Sequence, residues 1–175
     1  YRVWAPRMMR DLMRDFAPLA DFQAAGAVGN GGGESAGFTK MQELNPTVKG
    51  SAGGLGGFQW TGRTPNNNRR LVFEQLLASI GKDAFSYDAN YAMLKKELQT
   101  TERATILALR QTKDVTEATK MFMVKFERPG IPHFEGRVGW SKSALELYRA
   151  EEGKISENPA IDAPKEPAKL PMPSA

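Results

Sequence analysis

The sequence contains no cysteine. That excludes a disulfide framework and any thiolate-bound zinc. A chain of 175 residues with 41% hydrophobic residues can build one domain with its own core. Such a core needs no disulfide, so the redox compartment stays open. Histidine occurs once, as His133, without a partner set, which excludes a histidine-based triad and a histidine metal site. No apolar run is long enough for a membrane span, and no signal peptide is visible; the chain opens on Tyr1 rather than Met, as a processed product or a piece of something longer would. The net charge of +4 is spread along the chain, without the concentrated basic stripe expected of a nucleic-acid binder. It suits an anionic surface such as a cell wall. The one dense basic cluster is Arg63 with Arg69 and Arg70, readable as a solvated helix start or as an attractor for anionic groups.

Helical periodicity is abundant. Met8, Met9, Leu12, Met13 and Phe16 share one face of a helix over about Ala5 to Phe16, a stripe expected to pack in a core. Pro18 is placed in the first turn of a second, small-residue helix running to Glu34. A helix over Arg69 to Ile80 is stopped by Gly81, and Asp88 is expected to cap the next, which carries Tyr91, Leu94 and Leu98. Short helices follow around Ala104 to Ala108 and from Val115 to Phe126, then a last one from about His133 to Arg149. From Gly153 onward prolines alternate with Lys, Glu and Ala, the pattern of an extended tail or linker. The domain is therefore expected at 1–152 and the tail at 153–175. Between Thr39 and Asn68 no long period appears; glycines punctuate a loop region with one small hairpin around "GGFQWTG".

The stretch "GAVGNGGGESAGF" sets glycines directly before Glu34 and Ser35. Small residues let neighbouring backbones approach and leave space beside the carboxylate. A carboxyl group between apolar walls holds its proton more tightly and can donate it near neutrality, the central demand of glycoside cleavage. Phe58, Gln59 and Trp60 suit the apolar faces and hydroxyl edges of sugars. A plain glycine-rich surface loop with a solvated Glu34 fits composition equally well. A phosphate cradle does not fit: "GNGGGES" lacks the lysine such a loop needs, and a carboxylate there repels phosphate.

Taken together, "AAGAVGNGGGESAGF", "MQE", "GGLGGFQWTG", "NYAMLKKEL" and "KFERPGIPHFEGRVGWSKSALELY" resemble the phage tail lysozyme family, over roughly Phe16 to Tyr148. The resemblance implies a mainly α, lysozyme-like fold with a small β-hairpin and glycine-rich region lining the substrate cleft. It implies cleavage of the β-1,4 bond between N-acetylmuramic acid and N-acetylglucosamine in bacterial peptidoglycan, without a cofactor or metal. Glu34 matches the catalytic acid. Ser35, Phe58, Gln59, Trp60, Thr61 and Tyr91 match positions around the cleft. The three glycines before Glu34 depart from the pattern and put the last helical turn, and the hold on Glu34, in question.

A second catalytic carboxylate is expected about 5–5.5 Å away in a retaining enzyme and about 6.5–9.5 Å away in an inverting one. Glu43 is the first candidate, because its loop can fold back; Glu97 and Glu127 are further ones, each also readable as a helix-surface or helix-end charge. A lytic transglycosylase needs no separate nucleophile and gives 1,6-anhydro ends. A non-cleaving wall-binding or structural module of a phage tail is the reading from a different class. Each implies action at the periplasmic or extracellular wall, on a virion beside other tail proteins or released at lysis.

Overall fold

The computed structural model describes residues 1–46 and 50–157, the last three of these by backbone alone. The architecture is mainly α. Helices α1 (Trp4–Asp15), α2 (Asp21–Glu34), α3 (Arg69–Ile80), α4 (Tyr87–Gln99), α5 (Arg103–Leu109), α6 (Val115–Phe122) and α7 (Phe134–Glu157) follow in order, with a π-helical turn at Met123–Glu127 after α6. Among the described residues, no helix is long and apolar enough to cross a membrane.

The methionine stripe does what its period requires: Met8, Met9 and Leu12 are fully buried, and α1 lies against α2 and α7. Each such side chain contributes roughly 1.5–3 kcal/mol on burial. Helix α2 starts later than Pro18 suggests. Ala20 precedes it, and Gln23 Oε1 accepts from the Ala20 amide at 2.9 Å, satisfying one donor of the first turn. Ser86, not Asp88, caps α4 by accepting from the Ala89 amide, while Gly81 ends α3 at φ 63°. Asp114 caps α6 through the amides of Thr116 and Glu117, both at 2.8 Å.

Helix α2 is the centre of the fold, covered by α6 and α7 as well as α1. Its glycines serve close packing. A Cβ at Gly26 would lie 2.6 Å from Ala118 Cβ on α6, and one at Gly29 would lie 2.4 Å from the Ser141 amide nitrogen on α7. Gly31, Gly32 and Gly33 stay helical, so the expected weakness of the last turn does not occur.

Two expectations change. The hairpin reduces, among the described residues, to isolated antiparallel bridges: Gln42 with Leu55, Leu55 with Trp60, and Thr64 with Asn67. Gly53, Gly56 and Gln59 all take positive φ, which turns the chain off a pleat before a regular strand can form. Helix α7 continues past Arg149 and past Gly153 to Glu157; residues 158–175 of the expected tail lie outside the described residues.

Candidate functional site

Glu34 is the last residue of α2, and its side chain keeps 21% exposure, following buried Gly31 and Gly32 and exposed Gly33. Its Oε1 accepts from Arg137 Nη2 on α7 at 2.5 Å. Arg137 is itself only 4% exposed. Its Nε donates to the Pro132 carbonyl at 2.8 Å and its Nη1 to Asn30 Oδ1 at 3.2 Å. Asn30 lies one turn before Glu34 on α2, fully buried, and donates to the carbonyls of Gly26 and Thr119. The carboxylate is thus held by a guanidinium whose remaining nitrogens are fixed by backbone and amide. Ion pairs of this kind fix geometry more surely than they add stability.

A groove runs over Glu34 in two lobes. The first, of about 830 Å³, is lined by the 39–45 loop, Gly54 and Phe85. The second, of about 730 Å³, is lined by Arg69, Glu127, Arg128, His133 and Arg137 among others. Glu34, Gln59 and Thr61 belong to both lobes, so the acid sits where they meet. Apolar side chains stand exposed at both lobes: Leu44 at 78% and Phe85 at 65% in the first, Ile131 at 70% in the second. Solvated apolar surface beside polar groups suits a carbohydrate or another amphipathic ligand.

The residues singled out from the sequence fall into two groups. Glu34, Glu43, Gln59 and Thr61 are brought together on the groove. Gln59, at φ 47°, donates through Nε2 to the carbonyls of Lys40 and Gly56; its Oε1 accepts no hydrogen bond among the described residues. Glu43 is exposed and accepts from the Gly54 amide through Oε2 at 3.1 Å, pinning the 39–45 loop to the glycine-rich segment.

The others are placed differently. Ser35 is fully buried; its hydroxyl donates to the Gly31 carbonyl and accepts from the Phe38 amide, closing α2 instead of meeting a ligand. Trp60 is fully buried against Phe73 and donates through Nε1 to Glu97 Oε2 at 2.7 Å. Phe58, 1% exposed, packs against Phe38, Phe122 and Phe126 and borders the second lobe only as part of its floor. Tyr91 faces α1, not the groove: its hydroxyl donates to Asp15 at 2.9 Å, and burial pushes its ionisation up, reinforced by that hydrogen bond. These aromatics carry so much apolar area that the core claims them.

The basic cluster is also paired internally. Arg63 and Arg70 both reach Glu74, and Arg69 grips Glu97 at 2.7 and 2.8 Å. Glu97, 5% exposed and bound by Arg69 and Trp60, is a structural acid, not a free surface charge. His133 is exposed, at φ 43°, on the rim of the second lobe.

Arg137 and Phe85 were not anticipated. Arg137 had a signal: a charged residue beside Val138 on the face of α7 that otherwise carries Ser141 and Ala144, all of them buried. Phe85 had none beyond being aromatic between two helices.

A family profile described as Phage tail lysozyme matches residues 17–148. No curated protein matches significantly, and neither does any solved structure.

Proposed function

The chain belongs to the phage tail lysozyme family, and we propose that it cleaves the β-1,4 bond between N-acetylmuramic acid and N-acetylglucosamine with Glu34 as general acid. Family membership carries peptidoglycan-lytic activity in general; the bond and the acid are our reading. One observation carries it: the carboxyl group at the end of the buried helix α2 stands where two lobes of one groove meet, on a fixed Arg137–Asn30 support. A glycan strand threads both lobes, and Glu34 donates its proton to the bridging oxygen as the glycosidic bond breaks. Gln59, whose Oε1 has no donor among the described residues, and Thr61 hydrogen-bond sugar hydroxyl or acetamido groups, and Phe85 offers an apolar face.

Glu43 is the proposed second carboxylate for a hydrolase, being in the same lobe as Glu34. A specific observation favours the transglycosylase alternative: Glu43 is already tied to the Gly54 amide. Substrate groups would then take the nucleophile's place. The proposed setting is the bacterial wall, reached from a phage tail or at lysis.

The test is Glu34→Gln on purified cell walls, with products identified by mass spectrometry. Loss of muropeptide release with the fold retained supports the reading; near-full activity overturns it. Reducing ends mark a hydrolase and 1,6-anhydro ends a lytic transglycosylase. Wall binding without release by the wild-type protein would make it a binding module.

A further inference from the structure

Glu127 ends the π-helical turn that follows α6, and Arg128 after it takes φ 50°. A π-turn displaces one residue from the regular helical ladder and is found preferentially at functional positions. Here it delivers a carboxyl group to the second lobe of the groove, beside Glu34. The Oε1 of Glu127 is covered by protein and has no hydrogen-bond partner, alone among buried side-chain polar atoms of the described residues.

The surrounding charges account for this. Arg69 from α3, Arg128 from the connecting loop and Arg137 from α7 line the same lobe. Each already holds another carboxylate: Arg69 binds Glu97 of α4, Arg128 binds Glu102, and Arg137 binds Glu34 of α2. His133 stands exposed on the rim. Among the described residues of this lobe no arginine is left unpaired for Glu127, and Glu34 adds a like charge. A carboxyl group so placed favours its neutral form. Burial first, then the charge of Glu34, pushes Glu127 well above the usual carboxyl range, against the weaker pull of Arg69 and Arg137.

We infer that Glu34 and Glu127 share one proton in the groove, and that Glu127 is the positioning residue that keeps this proton at hand for Glu34 to deliver. This rests on Glu34 being the acid. At rest the proton sits on Glu127 and the Glu34 carboxylate sits on Arg137. As glycan fills the groove the proton passes to Glu34, and from Glu34 to the leaving oxygen as the glycosidic bond breaks, its electron pair staying on that oxygen. The nucleophile then forms the new bond to the sugar carbon and returns one proton to the pair. That nucleophile is water in a hydrolase and the sugar's own 6-hydroxyl in a transglycosylase. The pair thereby recovers its starting count.

The experiment is the pH profile of wall cleavage for wild type, Glu127→Gln, His133→Gln and Glu34→Gln. Glu127→Gln removes the carboxyl that holds the shared proton and leaves the Arg137 contact that favours the ionised form of Glu34. Its alkaline limb should move down by about one pH unit, so that activity at neutral pH falls about tenfold while activity near pH 5 is largely kept. A merely structural role would lower activity equally at every pH. An alkaline limb identical to wild type overturns the inference, as does a His133→Gln limb that moves as far. Should Glu127→Gln not fold, carboxyl-labelled NMR of the wild-type protein decides: one glutamate should titrate above the usual carboxyl range, and titration of every glutamate within that range overturns the pair. Glu34→Gln tests the underlying reading separately. Loss of its activity at every pH supports Glu34 as the acid, whereas retained activity removes both the acid and the pair.

Discussion

Arg137 and Glu34, 103 residues apart, meet at 2.5 Å because a buried arginine on α7 points at the one carboxylate that ends α2. Replacing Arg137 by Met should leave Glu34 and Asn30 without their partner. Glu34 is partly exposed, so the cost should lie below that of a fully buried pair, at about 1–3 kcal/mol for the unsatisfied groups left behind, and wall cleavage should fall with it. Arg137→Lys should recover part of the stability and little of the activity, since an ammonium cannot reproduce the planar fork that reaches Glu34, Asn30 and Pro132 together. Urea denaturation and a wall-clearing assay on the same samples check both.

The packing of α2 predicts an asymmetry between two glycines. Gly29→Ala puts a Cβ into the Ser141 backbone and should destabilise by about 1–3 kcal/mol or more. Gly139→Ala on α7 meets nothing within 4 Å and should stabilise by about 0.5–1 kcal/mol through helix propensity. Thermal melts of the two variants should shift in opposite directions.

Phe85 stands 65% exposed over the first lobe, so the core does not depend on it. Phe85→Ala should change stability by less than about 0.5 kcal/mol while raising KM for glycan strands several-fold with kcat less affected. Steady-state kinetics on soluble glycan fragments would show this split; an unchanged KM would remove Phe85 from the groove's binding surface.

Acid and alkaline stability have separate sources. The Arg14 hydrogen bond, helped by Lys95 and Tyr91, holds the Asp15 carboxyl well below its usual range. A depressed folded value means stability that is present above the unfolded carboxyl range, near pH 4, and is lost as pH falls below it. Tyr87 and Tyr91 are pushed upward, chiefly by burial, so stability falls once unfolded tyrosines ionise above about pH 10. Asp15→Asn should flatten the acid limb and Tyr91→Phe the alkaline one in denaturation series across pH.

Glu127 should act in the reverse sense to Asp15. Its folded value is raised, so its contribution is fully present below about pH 4.3 and is lost as pH rises through the folded value. Glu127→Gln should therefore be more stable than wild type at pH 7, with no gain at pH 4, in the same denaturation series.

Local rules made much of the helical frame legible. The stripe of Met8, Met9 and Leu12 and the stop at Gly81 are short-range signals, and both appear where their periods put them. Glu34 at a helix end is legible for the same reason. Trp60 and Tyr91 misled, because an aromatic residue near a cleft motif and one in a core read alike until packing decides. The partner of Glu34 was hidden by sequence distance. The π-turn that delivers Glu127 was hidden because a one-residue offset leaves the helical period of Val115 to Phe126 almost unchanged.

Helix α2 is buried along nearly all its length between three other helices, and Glu34 is its final residue. Its amides should therefore exchange with solvent only through opening of the whole domain, in one cooperative unit. The groove has no separate hinge at its acid, so heat inactivation and global melting should coincide in temperature.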